Sequence, residues 1–105
     1  MHSDDVIIVS SANDELSAAV TESLMAAGID SNLLSPGRVT EADLGHPMFN
    51  YVRSYIAVRK VDHLAAHYVV SRVSRICVKC EAFILAEDDN CRRCGTRHPE
   101  PPQSI

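Results

Sequence analysis

The sequence predicts an open α+β sandwich, a sheet with two helices on one face, in the order β-α-β-β-α and followed by a short four-cysteine metal-binding segment. Three observations predict it. Short apolar runs of strand character alternate with stretches of helical periodicity. Turn and cap residues separate them. Every cysteine of the 105-residue chain falls in two C-x-x-C pairs, Cys77-Val78-Lys79-Cys80 and Cys91-Arg92-Arg93-Cys94.

Val6-Ile7-Ile8-Val9 is a continuous apolar run bounded by polar residues, the pattern of a buried central strand. Ser10 to Asn13 supplies cap candidates, and Asp14 and Glu15 fall in the first helical turn, where acids favour the helix dipole. Leu16, Ala19, Val20, Ser23, Leu24 and Ala27 share one helical face, and Gly28 ends the helix. Ile29 to Leu34 reads as a second strand, broken by Ser35-Pro36-Gly37. Thr40-Glu41-Ala42-Asp43 resembles a capping box, which predicts one helical turn over Ala42 to Gly45 within a loop spanning 38–50. Tyr51 to Lys60 alternates as a half-buried strand does. Val52, Ile56 and Val58 fall on its inner face, and Tyr51, Arg53, Tyr55 and Arg59 on its outer face. Asp62 is placed to cap a helix whose apolar stripe is Leu64, Ala65, Tyr68, Val69 and Val73. Ser74-Arg75-Ile76 then runs into the cysteines with no linker, so the two parts must pack closely or share a strand.

Cys77, Cys80, Cys91 and Cys94 are predicted metal ligands. Each C-x-x-C turns two sulfurs toward one point, and the apolar segment between the pairs folds back to join them. Four thiolates complete a tetrahedral zinc shell with no open position, so the site holds structure and does not catalyse. Ligand deprotonation couples binding to folding, at about 10 kcal/mol for such sites. Gly95 suits the left-handed backbone that follows such a turn. Iron in a rubredoxin-like site uses the same ligands. Disulfides and a redox-active C-x-x-C are the other two alternatives. Reduced thiols in this pattern are more often ligands, and a redox pair normally opens a helix.

The net charge of −4 disfavours nonspecific nucleic-acid binding. Its placement is uneven. Up to residue 50 the charges are acidic apart from Arg38, whereas Arg53, Arg59, Lys60, Arg72 and Arg75 face only Asp62 between 51 and 76. Such asymmetry permits an anionic ligand or self-association. No run is long enough for a membrane span, and Met-His-Ser-Asp-Asp lacks signal-peptide chemistry, so a cytoplasmic location is expected.

The cysteine spacing resembles the short zinc ribbon of many prokaryotic proteins, C-P-x-C-G repeated after ten or so residues. Cys77, Cys80, Cys91, Cys94 and Gly95 match, without the prolines or the first glycine. Glu15-Leu16 through Leu24-Met25-Ala26-Ala27-Gly28-Ile29, then Ile56-Ala57-Val58 and Asp62-His63-Leu64-Ala65-Ala66, resemble the family of prokaryotic signal-transducing proteins, a PII-like group. The resemblance covers residues 6–73. It implies a ferredoxin-like fold and, for some members, a C-terminal zinc ribbon. It brings no catalytic residues, and the signalling role rests on analogy. The expected division is a ferredoxin-like domain over 1–74, the ribbon over 75–98 and a proline-rich disordered tail over 99–105.

The predicted partner-binding surface is Tyr51, Arg53, Tyr55 and Arg59, since Tyr and Arg are enriched at interfaces. The alternative is nucleic-acid binding through Arg53, Arg59, Arg92 and Arg93 with Tyr51 and Tyr55 stacking on bases. A solvated face or a homodimer seam is the plainer interpretation. His63 and His67, four apart on a helix, suit a metal less well than an exposed polar face. His98 would be a spare ligand. His46 with Glu41 and Asp43 has no fixed geometry for acid–base chemistry. The sequence therefore predicts a non-enzymatic zinc protein acting through a protein partner or homo-oligomer. The iron electron carrier is the second alternative.

Overall fold

The first helix is fixed at both ends by local chemistry. In this computed structural model, which describes residues 4–45, 52–77, 79, 83–88, 90–91, 94–95 and 97, α1 spans Asp14–Ala26. Asn13 Oδ1 accepts the Leu16 N–H at 2.7 Å, satisfying one of the donors that a helix start leaves unpaired. At the other end Gly28 takes φ +75°. The Ile29 N–H then reaches back to the Leu24 carbonyl at 2.9 Å, and the Gly28 N–H to that of Met25 at 3.0 Å. This is a Schellman closure, and Ile29 packs with Leu24 in the core as that closure favours.

β1 (Asp5–Ser11), β2 (Ser31–Leu34) and β3 (Ser54–Arg59) form one antiparallel sheet in the order β1-β3-β2. Among the described residues the continuous apolar run therefore lies at an edge of this sheet, not at the centre as its composition predicts. The central position belongs to β3. A bulge between Ile7 and Val9 leaves Ile8 without a register partner. It lets Val6, Ile8 and Val9 all meet the helix-side core, while Ile7 turns to the opposite face.

That opposite face is covered. A 3-10 turn (Pro36–Arg38) leads through Val39 to the one-turn helix α2 (Glu41–Leu44), and Val39 and Leu44 pack against this face. Val39, Val52 and Tyr55 form a second apolar cluster there with Ile7, Leu34 and Leu44. The capping box predicted at Thr40 is present: Thr40 Oγ1 accepts the Asp43 N–H, and Asp43 Oδ2 accepts the Thr40 N–H at 2.9 Å. Residues 46–50, the remainder of the predicted loop, lie outside the described residues.

On the other face α1 and α3 (His63–Val73) pack side by side on the sheet. Leu16, Val20 and Leu24 of α1, Ala66 and Val70 of α3, and Val9, Ile56 and Val58 of the sheet are buried together. Each large aliphatic side chain so enclosed contributes about 1.5–3 kcal/mol relative to exposure. Ser17 and Ser54 share a buried hydroxyl–hydroxyl bond of 2.8 Å that ties α1 to β3. The inward stripe of α3 is Ala66, Val69, Val70 and Val73, so the predicted stripe is correct at its last two positions and wrong at Leu64, Ala65 and Tyr68, which are exposed. Asp62 precedes the helix but makes no side-chain cap bond, because a 3-10 turn (Lys60–Asp62) leads into it.

α3 passes without a linker into β4 (Ser74–Ile76), which pairs antiparallel with β5 (Phe83–Leu85). Ser74 Oγ donates to the Val70 carbonyl at 2.8 Å across the junction. Leu85 is buried in the main core and Phe83 packs against it, so this hairpin is built into the α+β body. The described residues form a mixed α+β structure with two antiparallel sheets.

Candidate metal centre

Local structure delivers the cysteines to one place. Cys77 follows β4 directly, and β5 carries the chain back alongside it. Asn90 and Arg97 form an antiparallel bridge that closes a turn around Cys91 and Cys94. Gly95 completes that turn at φ +76°, as the sequence predicts, and its N–H donates to the Cys91 carbonyl at 2.8 Å. A side chain with a Cβ would be strained in this backbone conformation.

The Sγ atoms of Cys77, Cys91 and Cys94 all lie within 4.8 Å of one another, and those of Cys77 and Cys94 are 3.6 Å apart. A disulfide needs about 2.05 Å. The edge of a sulfur tetrahedron around zinc, with bonds near 2.3 Å, is about 3.8 Å. The Cys77–Cys94 separation fits that edge and not a disulfide. Cys77 and Cys91 are buried and pack with Ile84, while Cys94 reaches the surface. Three convergent thiols can hold a metal ion, and soft thiolate donors suit zinc or iron. Among the described residues neither cysteine pair opens a helix, the usual setting of a redox C-x-x-C. Cys80, the fourth predicted ligand, lies outside the described residues, as do His98, Arg92 and Arg93.

The predicted partner face divides differently. Tyr55 is 1 % exposed, enclosed by the α2 side of the sheet, and is not presented at the surface. Strand alternation separates two faces but does not reveal that both are covered. Arg53 and Arg59 are exposed, beside Asp14 at 3.7 Å and Asp30 at 3.1 Å. Such surface pairs contribute little, about 0–1 kcal/mol. Tyr51 lies outside the described residues, as does His46. Asp43 sits in the capping box, where the Thr40 N–H and hydroxyl hold its carboxyl below the usual range. It is thereby committed to local structure. His63 and His67 are exposed on α3.

Sequence reasoning missed the outward face of α3. Val61, Leu64 and Tyr68 are large, apolar and exposed. The predicted core-facing stripe includes Leu64 and Tyr68, and Val61 has no predicted role. No helix among the described residues is long and apolar enough to cross a membrane. Comparison with protein-family models, curated proteins and solved structures finds no match to this chain.

Proposed function

We propose that this chain is a non-enzymatic zinc-binding regulatory or adaptor protein that acts through protein contact or self-association. The observation that carries the proposal is the convergence of Cys77, Cys91 and Cys94 within 4.8 Å of one another, with Cys77 and Cys94 near the edge length of a sulfur tetrahedron around zinc. Cys80 supplies the fourth thiolate, by its place in the first C-x-x-C pair. A zinc ion with four thiolates has no vacant position for substrate or water, so its work is to hold the β4–β5 hairpin and the Cys91–Cys94 turn together. In this proposal the segment is a zinc ribbon built onto the α+β body.

The antiparallel order β1-β3-β2 with both long helices on one face supports a ferredoxin-like, PII-like assignment for the body. That assignment concerns fold, and the signalling role follows from it only by analogy. Reduced thiols suit a prokaryotic cytoplasm.

Native mass spectrometry of protein purified without added metal tests the metal assignment. One zinc per chain in a colourless protein is the expected result. Iron and a visible absorption band would replace it with the electron carrier. Absence of any metal, with full thiol reactivity, would overturn it. Binding of single-stranded RNA or DNA that falls steeply with salt would favour the nucleic-acid alternative.

A further inference from the structure

The helix layer presents an apolar surface that faces away from the core. Ala66, Val69, Val70 and Val73 point α3 at the sheet and α1. Leu64 and Tyr68 consequently leave from the opposite side, joined by Val61 of the preceding turn. Leu64 is 84 % exposed and Val61 85 %, and Met25 near the end of α1 is 75 % exposed. Between the helices runs a trough, lined on the α1 side by the small residues Ala26, Ala27 and Gly28 and on the α3 side by Ala65, Tyr68 and Arg72. Large exposed side chains and this trough thus share one face.

The two helices carry opposite charge. α1 has Asp14, Glu15 and Glu22 and no basic residue. α3 and its leading turn have Lys60 and Arg72 with His63 and His67, against the single acid Asp62. The helices run in opposite directions, because each returns along a strand and β1 is antiparallel to β3. A two-fold axis running along the layer would lay α1 of one copy over α3 of another. Acidic helix then meets basic helix twice, and Leu64 of each copy faces α1 of the other. Laying α1 on α1 and α3 on α3 would instead oppose like charges.

We propose that this helix face is a homodimer interface, with α1 of each protomer packed on α3 of its partner. The proposal rests on the protein-contact function above and supplies the partner, a second copy of this chain. Closed two-fold pairing is the commonest form of self-association. The sheet cannot offer an equivalent apolar face at β3, since both of its sides are covered.

The test uses the full zinc-loaded chain, by sedimentation velocity and native mass spectrometry. Wild type is a dimer that weakens as salt rises. One variant reverses α1 (Glu15→Lys with Glu22→Lys) and another reverses α3 (Lys60→Glu with Arg72→Glu). All four residues are exposed, so each variant keeps the wild-type circular dichroism spectrum. Each alone dimerises more weakly, by on the order of tenfold or more, as reversal of several exposed charge pairs predicts. Mixed in equal amounts, they recover near-wild-type affinity as a heterodimer. Leu64→Asp, a single exposed change, also dissociates the wild-type dimer. A monomeric wild type overturns the proposal, as does a dimer that tolerates Leu64→Asp or variants whose mixture fails to recover. The same spectra count zinc. A metal-free dimer refutes the zinc assignment and leaves the pairing intact, whereas a zinc-bound monomer does the reverse.

Discussion

Replacing Tyr55 by Ala separates a structural role for this residue from a binding role. Its ring is 1 % exposed and meets Val39, Val52, Ile7, Leu34 and Leu44. Truncating a buried aromatic costs about 3–5 kcal/mol, from lost transfer energy and from the cavity left behind. The lower end applies here, because Ile7, Leu34 and Leu44 are only partly buried and can shift into the space. We expect about 3 kcal/mol, and a melting temperature lower by roughly 12 °C for a chain of this size. Arg53→Ala, which removes an exposed pair with Asp14, serves as the comparison and should cost less than about 0.5 kcal/mol. The chain has no tryptophan, so urea unfolding is followed by circular dichroism on zinc-saturated protein. Tyr55→Phe isolates the hydroxyl and should cost about 1 kcal/mol. A loss below about 1 kcal/mol for Tyr55→Ala would show that the α2 side of the sheet is not a packed face. The outer-face binding surface predicted from alternation would then return.

Three further outcomes are expected. Cys91→Ser or Cys77→Ser should abolish stoichiometric zinc and lower the thermal midpoint, as measured by native mass spectrometry and calorimetry; retention of tight zinc by both variants would contradict the cluster. Asn13→Ala should destabilise the protein by about 1 kcal/mol in urea unfolding, because the Leu16 N–H loses its acceptor. The Asp43 carboxyl should titrate below the usual aspartate range when followed by NMR, chiefly through the Thr40 N–H; Thr40→Ala keeps that N–H and loses the hydroxyl, so it should move the titration only part of the way back up. The sign of the linkage follows: the depressed pKa gives α2 a stabilisation present above the ordinary aspartate pKa and lost as pH falls through the lowered one.

Elements set by local chemistry were the legible ones. Asn13, Gly28, Thr40 with Asp43, and Gly95 each announce a cap or turn by residue type, and each does what its type predicts. The cysteine spacing likewise announced a shared site, three of whose members converge. What the sequence could not reveal was the identity of neighbours. Alternation along β3 is compatible with one covered face or with two, and the burial of Tyr55 depends on a segment more than ten positions away. In α3 two apolar stripes overlap. Leu64 and Tyr68 carry more hydrophobic surface, but the close approach of α3 to the sheet selects Ala66 and the valines. The apolar run of β1 reads as central because the bulge at Ile8 is invisible in composition.

The junction at Ser74 makes the cysteine cluster and the helix mechanically one object. The last turn of α3, held by Ser74 to the Val70 carbonyl, is separated from Cys77 only by the short strand β4. A ligand sphere that clamps Cys77 therefore also anchors the C-terminal end of α3, and fraying of that end would loosen the clamp. If protomers meet through this helix, pairing and metal affinity cannot be independent quantities. Whatever factor a bound metal contributes to the pairing constant, pairing must return to the metal affinity. Dilution of the protein would then release metal, a behaviour that neither the cysteines nor the helix face would show alone.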